Sequence, residues 1–142
     1  MPRFPLVLGL LGTLPFLAAA LSSLISIPLP AKLTGPGAGI TYGVVILCFM
    51  SGILWGFATN AQAKVAGWAY VLSVVPALWV FFAIGASPLL DLTALIAGFI
   101  GVLSIEFWFQ KHQLTPDWWL RMRGILTTIV VICLAVCARA VL

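Results

Sequence analysis

Five apolar stretches of about 20 residues follow one another along this chain, separated by short segments rich in Pro, Gly and polar residues. A helix of that length spans the roughly 30 Å of hydrocarbon in a bilayer. Composition points the same way: 63% of the 142 residues are hydrophobic and 7% are charged, with mean hydropathy +1.23. Soluble domains carry about 45–50% apolar and about 25% charged residues. A globule of this size keeps too much surface in water to hide so many apolar side chains. Lipid offers backbone groups no hydrogen-bond partners, and the alternation of a β-barrel is missing, so the spans must be helices. The fold class is therefore an all-α membrane protein, a compact bundle of about five transmembrane helices in a single domain, residues 1–142. No room is left for a separate soluble domain.

Local signals set the boundaries. Segment one covers about Pro5 to Pro28, with Pro28 and Pro30 ending it. Arg3 and Ala18-Ala19-Ala20 give it the look of a secretory signal peptide. Gly9, Gly12 and Pro15 interrupt its apolar run, which favours a retained helix. Segment two covers about Ala38 to Thr59, and a polar turn with Asn60, Gln62 and Lys64 follows. Segment three, about Val65 to Ala86, holds Pro76, which should kink it. Ser87-Pro88 starts segment four as N-cap and first helical residue, with Asp91 at the positive end of the helix dipole. That segment ends near Phe109. Thr115-Pro116-Asp117 has the pattern of a second helix start, and segment five runs to about Ala140.

Charge distribution predicts orientation. Arg3, Lys64, Lys111, Arg121 and Arg123 fall on the side of the N-terminus, whereas Lys32 and Arg139 fall on the other. The positive-inside rule then predicts N-inside, C-outside topology. Trp55, Trp68, Tyr70, Trp108, Trp118 and Trp119 crowd the same inner side, where two aromatic belts are the ordinary expectation. The net charge of +4 is spread over segment ends, so it reflects topology rather than nucleic-acid binding.

Catalytic signatures are scarce. No P-loop, G-x-S-x-G, H-E-x-x-H, C-x-x-C or dinucleotide fingerprint occurs. His112 has the setting of a solvated loop residue. Cys48, Cys133 and Cys137 lie in apolar runs and are expected to be small buried hydrophobes. The chain is therefore expected to be no enzyme, with no cofactor and no metal.

Two features go beyond anchoring. Gly35, Gly39 and Gly43 fall four apart, as do Cys48, Gly52 and Gly56. Small-xxx-small faces let helices approach closely in lipid, so Gly52 and Gly56 are expected at a helix contact, with self-association as the alternative use. Pro15 and Pro76 belong to the same class of helix-shaping positions. The second feature is Glu106, near the end of segment four among Phe107, Trp108 and Phe109. A carboxylate in such surroundings needs a partner. The connection to segment five is short, so Arg121 or Arg123 can reach it. The two are about 200° apart around a helix, so one of them should face Glu106. The alternative use of these residues is a pocket: Glu106, Arg121 and Arg123 with Trp55, Trp108, Trp119, Asn60 and Gln62 would hold a small amphipathic, possibly anionic, ligand.

Several stretches carry a family resemblance: Leu8 to Phe16, Tyr42 with Ile46 to Gly52 and Trp55-Gly56, Val75-Pro76, and Trp118 to Arg123 with Leu126-Thr127. In order and spacing they resemble domain-of-unknown-function family 3429, which takes in animal mitochondrial transmembrane protein 69 and many proteobacterial proteins. In that pattern an acid, often Asp, precedes a W-x-x-R element; Glu106 stands there. The resemblance implies a helical membrane protein and no established activity. The short N-terminus lacks an Arg- and Ser-rich transit segment, which favours a bacterial inner membrane over a mitochondrial inner membrane. Tryptophan-rich sensory proteins share the span count, but their W-x-P-x-F loop is not found. The leading expectation is an accessory or structural subunit, or an assembly factor, of a membrane complex. A binding protein or carrier for a small amphipathic ligand is the alternative. The bilayer and other membrane subunits are the expected partners.

Overall fold

The computed structural model describes all 142 residues, and every regular element in it is a helix. The elements are α1 (Arg3–Gly12), α2 (Leu14–Leu24), α3 (Gly35–Ala58), α4 (Ala63–Ala83), α5 (Pro88–Lys111) and α6 (Trp119–Ala140), with one 3₁₀ turn at Ala31–Leu33. Taking α1 and α2 together, five helices are long and apolar enough to cross a membrane. α3 packs against α2, α4, α5 and α6, and α6 closes the bundle against α2 and α5. The core is a continuous apolar cluster that includes Phe16, Leu47, Leu92, Leu95, Phe99 and Leu134.

The first span is broken at Thr13, where Thr13 Oγ1 donates to the Leu10 carbonyl at 2.7 Å. Pro15 follows two residues on, half-buried, and its ring denies the preceding turn a donor. α1 buries none of its residues, whereas α2 buries Phe16, Ala19 and Ala20. The span also stops earlier than predicted. Ile25 is extended, because Pro28 can neither donate to the Leu24 carbonyl nor tolerate a helical residue before it.

Pro76 lies inside α4, which runs unbroken from Ala63 to Ala83, and the neighbouring turn finds a partner on α3. The Ala77 N–H donates to Ser51 Oγ on α3 at 2.9 Å, so the turn beside Pro76 is tied to the neighbouring helix. The α4–α5 turn is held by Asp91, whose Oδ1 accepts from the Gly85 and Ala86 N–H groups at 2.8 and 3.2 Å. Gly85 carries φ +114°, which its lack of a Cβ permits. Ser87 caps α5 by accepting from Leu90 N–H.

Three local expectations fail. Gly52 and Gly56 do not face another helix: both are exposed, and a Cβ built on either meets nothing within 4 Å. The buried stripe of α3 is Gly39, Gly43, Leu47, Met50, Ser51, Leu54 and Ala58. A helix repeats every 3.6 residues, so the Cys48–Gly52–Gly56 row leaves that stripe and points outward; Cys48 is exposed as well, unlike Cys133 and Cys137. Close approach happens instead at Gly43, where a Cβ would lie 2.9 Å from Leu95 Cδ1, and at Gly98, where it would lie 2.8 Å from Leu47 Cδ1 and 3.0 Å from the Trp79 ring. Finally, Thr115 does not cap α6. The helix starts at Trp119, and Thr115 Oγ1 is buried without a partner.

Candidate functional site

α5 and α6 meet at the end of the bundle that carries the N-terminus, joined by the connection His112–Trp118. Trp119 and Arg123 are one turn apart on α6 and share a face. That face meets Glu106, which is wholly buried. Arg123 Nε donates to Glu106 Oε1 at 2.9 Å and to Oε2 at 3.1 Å, and Trp119 Nε1 donates to Oε1 at 3.0 Å. The carboxylate is thus held by three donor contacts from one helix. The Trp119 ring packs edge-on against Phe57 of α3 at 5.0 Å, so the cluster also engages a third helix. Arg121 lies on the other side of α6 and is exposed.

The remaining predicted pocket residues stay apart. Trp55 is 49% exposed and packs on Tyr70 of α4. Trp108 stacks on His112, whose Nδ1 lies 2.9 Å from the Trp108 carbonyl. Asn60 and Gln62 are exposed in the α3–α4 turn. None of these residues makes a hydrogen bond to Glu106 or Arg123. Helical phase separates them: Trp108 is two residues beyond Glu106 and so faces away from α6.

Arg123 also borders a cleft that sequence reasoning missed. A cavity of about 470 Å³ opens between α1, α3 and α6, with Phe99 of α5 and Phe16 of α2 at its back. Phe16 packs against Tyr42 at 4.9 Å and against Phe99 at 5.9 Å, which makes an aromatic wall. Tyr42 OH donates to the Gly12 carbonyl at 2.9 Å, next to the break in the first span. Trp119, Met122, Arg123, Leu126, Thr127 and Val130 of α6 form the opposing wall. At the rim Leu8, Leu11 and Phe49 are 60%, 53% and 62% exposed, so the mouth is apolar. α1 leans on α6 through Gly9, where a Cβ would lie 2.7 Å from Leu126 Cδ1.

Two of the lining residues bury a polar atom without a partner. Arg123 is 6% exposed, and its Nη2 is buried and makes no hydrogen bond; the same holds for Thr127 Oγ1. Buried polar atoms are nearly always paired, so each orphan needs an explanation. A signal was present in the sequence, since Arg123, Thr127 and Val130 follow a helical stripe, but nothing in it showed that a cleft opens beside that stripe. No group of His, Cys, Asp or Glu could hold a metal ion. The site offers hydrogen-bond donors and apolar contact.

The profile of a family described as a protein of unknown function, DUF3429, matches residues 1–139. The chain belongs to this family. A related protein, Transmembrane protein 69 of Xenopus tropicalis, is 30% identical over 139 residues, covering 92% of this chain and 51% of that protein. The chain thus spans about half the length of that relative. No solved structure matches. This family member is a multi-pass membrane protein of helical fold.

Proposed function

We propose that this protein binds a small, largely apolar molecule that reaches it from the bilayer. The cleft between α1, α3 and α6 carries this reading. Ligand pockets span about 300–1,000 Å³ and combine apolar walls with a few placed polar groups. This cleft falls in that range, its rim is apolar, and its polar residues are Thr13, Tyr42, Trp119, Arg123 and Thr127. The test is purification in a mild detergent, solvent extraction and mass spectrometry. A molecule present at about one per chain, and lost when Ile46→Trp fills the cleft, supports the reading. Its absence, together with failure of any chain-like probe to bind saturably, overturns it.

A role as accessory subunit or assembly factor is the second reading. The exposed Cys48–Gly52–Gly56 row of α3 favours it, because a small-residue face left open in lipid is able to take another helix. Stoichiometric co-purifying subunits, lost on Gly52→Leu, would support it. We also propose that the N-terminal end faces the cytoplasm of a bacterium or the matrix of a mitochondrion, as the five-against-two basic distribution suggests.

A further inference from the structure

On the reading that the cleft binds a molecule from the bilayer, we propose that this molecule is an anionic phospholipid of the leaflet at the N-terminal end of the bundle, with one acyl chain inside the cleft and the phosphate outside it, beside Arg3 and Arg121. Depth is the first argument. The lining starts near that end at Pro5 of α1, Ile53 of α3 and Trp119 of α6, and it stops at Thr13, Tyr42 and Val130. At 1.5 Å per residue these walls run about 12 Å along the first span and about 17 Å along α3 and α6. Half of a bilayer's hydrocarbon is about 15 Å thick. The cleft is thus one leaflet deep, with Phe16 packed on Tyr42 and on Phe99 at its back. A chain that enters from the headgroup side ends near the middle of the bilayer.

The second argument is what the polar lining residues leave free. Thr13 Oγ1 donates to the Leu10 carbonyl at 2.7 Å, and Tyr42 OH to the Gly12 carbonyl at 2.9 Å. Trp119 Nε1 and Arg123 Nε are engaged by Glu106. Arg123 Nη2 and Thr127 Oγ1 are sealed within the packing. A headgroup carried inside would shed its water and find few open partners, which is costly. A methylene chain gains from the same apolar walls. The head therefore stays at the mouth, where the charge is positive. Arg3 lies two residues before Pro5, Arg121 shares the first turn of α6 with Trp119 and Met122, and both arginines are exposed. Lys64 and Lys111 are exposed at the same end, against one exposed acid, Asp117. That balance favours an anionic head over a zwitterionic one.

The experiment titrates phosphatidylglycerol, with a diazirine midway along one acyl chain, into the delipidated full-length chain in dodecyl maltoside. After irradiation the adducts are mapped by mass spectrometry. Adducts on Ile46, Met50 and Leu126, which line the cleft, should saturate. Those on Phe81 and Phe82, 77% and 79% exposed, report the surrounding micelle and should rise in proportion to the probe. Phosphatidylcholine with the same label should need about fivefold more to half-saturate the cleft, the worth of one cation near a membrane surface. Arg3→Gln with Arg121→Gln should bring the two lipids within about twofold. Ile46→Trp should abolish the adducts on Met50 and Leu126 and keep those on Phe81 and Phe82, which shows that the variant still folds. Equal half-saturation by the two lipids, a preference that survives loss of both arginines, or tighter labelling by a free diazirine-bearing hexadecane overturns the phospholipid assignment while leaving the binding function standing. If no probe saturates the cleft, the binding function itself fails.

Discussion

Removing Arg123 should damage this protein far more than removing Arg121, although both arginines belong to the same short run. Arg123→Met leaves Glu106 wholly buried with Trp119 Nε1 as its remaining donor. Breaking a buried pair by deleting one partner costs about 3–5 kcal/mol in soluble proteins, because the other charge is left uncompensated. Glu106 lies within two turns of the end of α5, where lipid headgroups and water are near, so the lower part of that range applies. Arg121→Met should stay within about 0.5 kcal/mol, since Arg121 is exposed. Replacing both members, Glu106→Leu with Arg123→Met, should recover most of the loss, because an apolar substitute for a buried pair is often neutral or better. The charge swap Glu106→Arg with Arg123→Glu should recover part of it, with Trp119 left without an acceptor in its present place. The assay is reversible unfolding in mixed micelles, read by tryptophan fluorescence and helicity, for the four variants and the parent. Equal costs for Arg121→Met and Arg123→Met, or a double variant as unstable as the worse single one, would refute the pairing.

Other perturbations follow from packing and topology. Gly98→Ala should lower stability by about 1–3 kcal/mol, since its Cβ would press on Leu47 and on a Trp79 ring tied by Nε1 to the Ala94 carbonyl at 2.7 Å; Gly52→Leu should unfold like the parent in the same micelle assay, provided the chain is measured as a monomer. Ser51→Ala strips the acceptor from the Ala77 N–H beside Pro76 and should cost about 1–3 kcal/mol, whereas Ser51→Thr should restore part of it. Reporter fusions at Leu142 should report the outer side, and fusions after Lys64 or Gln113 the inner side; an inner C-terminus would contradict the basic-residue distribution.

The fold was legible because the solvent dictates it. In hydrocarbon every backbone group must be paired within its own segment, so length, apolarity and breakers alone mark the spans. Pro76, the Ser87-Pro88 start and the need of Glu106 for a partner are likewise local or nearly local facts. Glu106 is stranded in an apolar run, the next helix is a short loop away, and the geometry of one helix allows one arginine of two to face it.

Relations between helices were not legible in the same way. The spacing of small residues is the same at Gly39–Gly43 and at Gly52–Gly56, yet the first row is buried and the second exposed. The period of a helix identifies which residues share a face, but lipid is as apolar as a protein core, so hydropathy cannot tell which face turns inward. For the same reason Trp55 and Trp108 looked like neighbours of Glu106 by depth, while rotation about the helix axis carries them elsewhere and Asn60 stays in the α3–α4 turn. The cleft depended on tertiary structure most of all. It lies where α1, α3 and α6 meet, and how closely distant segments pack leaves no mark on the sequence of either one.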